Sequence, residues 1–133
     1  MKSHLDHLQV NIDYKNVNFY KNLLKFLGWQ VILEDKDVVG FKSDSTGTLW
    51  FTPLMKKVPH DHDSIGINHI GLWVDSIAAV DKMTEFLKKE KVTVLFDTPR
   101  HRPEFSGEND TYYQVMFHSP DKILFEVVYT GPK

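Results

Sequence analysis

The chain has no cysteine, only two arginines among its 133 residues, and no long apolar run. The first absence removes disulfides, thiolate metal sites and cysteine nucleophiles together. Any metal must therefore be held by His, Asp or Glu. No segment approaches the roughly 20 apolar residues that cross a bilayer, so no membrane-spanning helix is expected. The opening Met1-Lys2-Ser3-His4-Leu5-Asp6 lacks the apolar stretch of a signal peptide, and a soluble cytoplasmic protein is the expectation. A net charge of only −2 argues against nucleic acid or an anionic membrane as a constant partner. Phosphate-cradling glycine loops, dinucleotide fingerprints and Ser-His-Asp spacings are also missing.

What the chain does have is a repeat. Asp6-His7-Leu8-Gln9-Val10-Asn11-Ile12-Asp13 returns as Asn68-His69-Ile70-Gly71-Leu72-Trp73-Val74-Asp75. Both copies precede a segment with helical periodicity, which implies a tandem duplication with one histidine at the same place in each half. With 41% hydrophobic residues the chain can bury one core, so a single domain over 1–133 is expected. Module one spans 4–54, a polar linker 55–66, and module two 67–131.

Each module reads βαβββ, an α+β architecture of two tandem units whose curved mixed sheets enclose a cavity. In module one a strand carrying the first repeat leads to a helix over 15–27 that ends at Gly28. Strands at 29–33, 38–42 and 48–52 follow, punctuated by turns at Asp35-Lys36-Asp37 and Asp44-Ser45-Thr46-Gly47. Module two repeats the order: a strand at 69–74, a helix at 77–89, and strands at 92–96, 112–117 and 123–129. The connection 97–111 is long and polar, and such segments in compact domains are more often functional rims than accidents.

Strand alternation decides where the histidines point. Leu8, Val10 and Ile12 face the covering helix, which turns His7, Gln9 and Asn11 to the other side. By the same parity His69, Gly71 and Trp73 face away from the second helix. Glu126 sits at the centre of the apolar strand Lys122-Ile123-Leu124-Phe125-Glu126-Val127-Val128-Tyr129. A carboxylate there is costly to bury unless paired, protonated or metal-bound. Two imidazoles and one carboxylate form a ligand set suited to a divalent ion such as Zn, Ni, Mn or Fe. The bland alternatives are two hydrogen-bonded sheet histidines and a carboxylate paired to a lysine. His60-Asp61-His62-Asp63 is metal-like by composition but reads as a solvated loop, and His118 as a surface residue.

Together these features resemble the vicinal oxygen chelate superfamily, which includes glyoxalase I, bleomycin-resistance proteins, fosfomycin-resistance enzymes and extradiol dioxygenases. The likeness covers nearly the whole chain. Its most specific pieces are Asp6-His7-Leu8 through Phe19-Tyr20, Asn68-His69-Ile70, and Ser119-Pro120-Asp121-Lys122-Ile123-Leu124-Phe125-Glu126. The resemblance implies that His7, His69 and Glu126 are metal ligands and that the protein pairs as a homodimer. It also implies that the metal chelates neighbouring oxygens of a small substrate and acts as a Lewis acid. Two departures stand out: the family turn has glycine where this chain has Lys122, and Phe51 falls where glyoxalase I generally has a fourth protein ligand.

Substrate contacts are expected from Arg100 and Arg102, whose planar forks suit a carboxylate or phosphate, and from Phe51, Trp73 and Tyr113. Tyr112 is a further hydroxyl near the cavity. Two functions follow. One is a metal-dependent, glyoxalase-like lyase or isomerase acting on a small substrate, neutral or anionic, with dioxygenase or thiol-transferase chemistry as variants. The other is a metal-free binding protein of the bleomycin-resistance type, holding an aromatic ligand among Trp73, Tyr113, Phe51 and Met116.

Overall fold

The computed structural model describes residues 1–45 and 47–133. The turn expected over 44–47 includes Thr46, which lies outside the described residues. The chain divides into two compact units, 1–59 and 60–133. Each is a four-stranded mixed sheet with one main helix on one face. No helix among the described residues is long and apolar enough to cross a membrane.

In the first unit β1 (His7–Ile12) leads through a short 3-10 turn (Tyr14–Asn16) into α1 (Val17–Phe26). Asp13 opens this turn by accepting from the Lys15 amide at 3.4 Å. Gly28 closes the helix at φ 83°, a conformation glycine adopts without steric cost. β2 (Gln30–Asp35), β3 (Val38–Lys42) and β4 (Thr48–Pro53) complete a sheet of order β1-β4-β3-β2, with β1 and β4 parallel. Tyr20, Leu23 and Leu24 of α1 are fully buried on it. Burial along β1 alternates as its hydrophobic pattern predicts, with His7, Gln9 and Asn11 exposed.

Phe51 belongs to this helix-side core. It is fully buried, 4.5 Å from the Tyr20 ring, and meets Phe41 edge to face at 6.2 Å. It is therefore not the cavity wall that the sequence suggested. The register also corrects its equivalence to Glu126. Gln9 pairs with Trp50 in the first sheet as Gly71 pairs with Glu126 in the second. Trp50 is the residue that stands where a second acid would be. Its indole covers Gly40 on β3 so closely that a Cβ at Gly40 would collide with the ring.

The second unit has β5 (Ile70–Trp73), α2 (Ile77–Lys89), β6 (Val94–His101), β7 (Asp110–His118) and β8 (Leu124–Pro132), in sheet order β5-β8-β7-β6. Ser76 caps α2 by accepting from the Ala79 amide at 3.2 Å. Val80, Met83 and Leu87 of α2 are buried with Val115, Phe117, Phe125 and Val127 of the sheet. Lys122 turns the chain into β8 with φ 64°, the left-handed region where the family pattern places glycine.

The connection after β6 is less irregular than the sequence suggests. β6 continues to His101, but its pairing to β7 slips between Leu95 and Arg100. Phe96 and Asp97 at the slip have φ of 58° and 55°. Thr98 is buried in the bulge; its hydroxyl donates to the Leu95 carbonyl at 2.7 Å and accepts from the Met116 amide at 3.0 Å. A side chain thus replaces the missing ladder bond, as buried backbone groups require.

Candidate functional site

The face of the second sheet opposite α2 carries a pocket of about 350 Å³, lined only by residues of the second unit. Alternation along β7 brings Tyr112, Gln114 and Met116 into it, and β8 contributes Leu124 and Glu126. His69 enters from the residue just before β5, while the β6 bulge presents Phe96. Arg102 and Phe105 come from the segment beyond β6.

Glu126 is the centre of this site. Only 3% exposed, it nevertheless has a distinct partner for each oxygen. Oε1 accepts from the Tyr112 hydroxyl at 2.8 Å and, with its amide oriented to satisfy both neighbours, from the Gln114 side chain. In that orientation the Gln114 oxygen accepts from Arg102 Nη1 at 3.1 Å. Oε2 instead faces His69 Nε2 at 3.1 Å. Gly71, the register partner of Glu126, leaves space there, since a Cβ would stand 3.5 Å from Oε2.

The protonation of His69 is constrained by its other nitrogen. Asn68 Nδ2 donates to the His62 carbonyl at 3.0 Å, which turns Asn68 Oδ1 toward His69 Nδ1 at 2.8 Å. Nδ1 must therefore be the donor, and the neutral ring presents a bare lone pair at Nε2. A bare nitrogen facing a carboxylate oxygen at 3.1 Å repels it unless positive charge lies between them. That charge is either a proton on Nε2 or a metal ion. Two ligands of one ion with bonds near 2.1 Å stand about 3 to 3.4 Å apart, so the pair fits a divalent ion.

His7 has the same device in the first unit. Its Nδ1 donates to Asp6 Oδ2 at 2.7 Å, leaving its Nε2 bare. The Asp or Asn before each repeated histidine is thus the group that selects its tautomer. Among the described residues no three His, Cys, Asp or Glu side chains are gathered as one ion would require. His69 and Glu126 form a pair within the second unit.

The other expected contacts separate by face. Arg102 lines the pocket; its Nε donates to Glu104 at 2.6 Å and its guanidinium stacks 4.8 Å from the Phe105 ring centre. This contact holds the Glu104 carboxyl below its usual pKa. Arg100 pairs in register with Gln114 and so shares that face, but it is exposed and outside the pocket lining. Trp73 is exposed at the end of β5 and also outside this lining. Tyr113 is not a pocket residue, because its parity is that of Val115 and Phe117. Its hydroxyl donates to Asp81 on α2 at 2.8 Å. Tyr112, its neighbour, supplies the pocket hydroxyl. Burial and the adjacent carboxylate push both phenols up, each to about 12.

Gln114 is the residue that sequence reading missed. Its only available signal was parity with Glu126 across the β7–β8 pair. The loop histidine His62 was also underestimated. It lines the pocket with its Nδ1 3.1 Å from His118 Nε2. Burial first, then the nearby charges of His62, Lys122 and His60, lower the His118 pKa.

Residues 4–127 match the model of the Glyoxalase/Bleomycin resistance protein/Dioxygenase superfamily. The chain belongs to this superfamily. Among solved structures, a glyoxalase-like protein from Bacillus halodurans is similar at 22% identity and a TM-score of 0.81, with 96% of each chain covered. A glyoxalase/bleomycin resistance protein from Albidiferax ferrireducens T118 is 21% identical with a TM-score of 0.75, covering 96% of this chain and 99% of its own. Lactoylglutathione lyase from Agrobacterium tumefaciens is 18% identical with a TM-score of 0.68, covering 97% and 95%. These identities establish a shared fold. No curated protein matches the chain.

Proposed function

We propose that the protein is a metal-dependent enzyme of the glyoxalase type, with His69 and Glu126 as two ligands of a divalent ion and His7 as the third. The reading is carried by the opposed acceptors His69 Nε2 and Glu126 Oε2, 3.1 Å apart in a pocket wall. His7 is assigned as the third ligand from the repeat, and Asp6 leaves its Nε2 bare in the same way. A Zn, Ni, Mn or Fe ion held by such a set supplies Lewis-acid stabilisation of negative charge developing on a substrate oxygen.

The chain's own residues then have separable tasks. Asn68 and Asp6 fix the imidazole tautomers, and Tyr112 and Gln114 hold Oε1 of Glu126. Phe96, Phe105, Met116 and Leu124 give the pocket an apolar wall against which a substrate can pack. Arg102 places one cation at that wall, suited to a small substrate with an acidic group. In this reading the protein works as a homodimer in the cytoplasm.

Metal analysis of untagged protein tests the assignment. The expected result is bound divalent metal that is lost in His69→Ala while the fold, followed by circular dichroism, persists. Protein that refuses Zn, Ni, Mn and Fe would instead favour a metal-free binder using the same apolar wall.

A further inference from the structure

The geometry points to Arg102 as a positioning residue for Glu126, acting through Gln114. This inference rests on the proposed metal site and concerns which oxygen of Glu126 serves it. A buried carboxylate with two equivalent oxygens can rotate, bind an ion through both, or turn away. Here the oxygens are inequivalent. Oε1 is taken by the Tyr112 hydroxyl at 2.8 Å and by the Gln114 amide. Only Oε2 remains directed at His69.

Gln114 is 2% exposed and can hold this arrangement only in one amide orientation. A primary amide has two ends, and the wrong one would put its oxygen against Glu126. Arg102 Nη1, 3.1 Å from the amide oxygen, removes that choice because a guanidinium only donates. The cation is itself held on two sides, by Glu104 at 2.6 Å and by the Phe105 ring. Charge on Arg102 polarises the amide, and the amide N–H in turn becomes a stronger donor to Oε1. The run Glu104–Arg102–Gln114–Glu126 therefore crosses from the segment beyond β6, through β7, to β8. It sets one rotamer of the acid. Arg102 contributes to the site without touching the metal.

Two predictions separate this role from general structural support. Gln114→Met preserves volume while removing both amide contacts, and Arg102→Met removes only the far end of the relay. Each is expected to weaken Zn²⁺ or Co²⁺ binding at least tenfold by calorimetry, the range typical of residues that orient ligands. The double variant should be no weaker than Gln114→Met alone, because both changes interrupt one chain. Additive losses, or unchanged affinity in Gln114→Met, would overturn the inference.

Crystal structures of the metal-free wild type and Gln114→Met examine the orientation alone. The carboxylate should keep Oε1 on Tyr112 in the wild type and rotate in the variant. A carboxylate unmoved in the variant defeats the positioning role even where the wild type binds metal. A rotated carboxylate in a protein that takes up no metal defeats the metal assignment and supports the positioning role.

Discussion

Two adjacent tyrosines show how far a single step along a strand changes a residue's work. Tyr112 donates to the pocket carboxylate and Tyr113 to Asp81 on the covering helix. Both phenols are held protonated to about pH 12 instead of the usual 10. A phenol whose folded pKa is raised stabilises the fold fully below its unfolded value, and that contribution disappears as pH climbs through the folded value. Stability should therefore fall between pH 10 and 12, and the fall should be shallower in Tyr112→Phe. Phenolate absorbance checks the same point, with Tyr112 and Tyr113 titrating late in the folded protein and normally after denaturation. Parity in β7 was available in the sequence, but the start of that strand was not. Placing Tyr113 at the cavity required ignoring that it alternates with Gln114. The face of Glu126, in contrast, could be read directly, because an isolated polar residue among apolar neighbours advertises its own side, whereas His69 was picked out by its place in the repeat.

At the scale of elements, α2 and β3 follow their sequence patterns to the residue, since capping and punctuation were both strong there. β6 does not. Its bulge depends on the Thr98 hydroxyl capturing a main-chain amide of β7, a long-range bond with no local signature. The turn before β8 is a clearer case, where family pattern and geometry agree that one position wants glycine. Lys122 holds φ 64°, which costs a side-chain-bearing residue about 1–2 kcal/mol, partly offset in any glycine replacement by unfolded-chain entropy. Lys122→Gly should raise stability by about 0.5–1 kcal/mol, measured by urea unfolding. A destabilised variant would show that the lysine side chain makes a compensating contact.

Across the whole molecule, duplication is the feature most legible in the sequence, and the outcome of duplication the least. Both halves keep a histidine and the residue that selects its tautomer. Only the second half keeps an acid, because Trp50 occupies the matching place in the first. One divalent ion per chain is therefore expected by equilibrium dialysis, and Trp50→Phe should leave that number unchanged. Two ions per chain would show that the halves retain independent sites. The register that reveals Trp50 depends on pairing between distant strands. Counting along the sequence alone instead selected Phe51, one residue away and on the wrong face.

The partners of the repeated histidines carry a further implication. Asp6 brings a formal negative charge to His7, whereas Asn68 offers His69 only a neutral amide oxygen. An imidazole leaning on an anion is the more electron-rich base. The two rings descended from one ancestral strand are consequently no longer chemical twins: one leans on an anion, the other on a neutral amide.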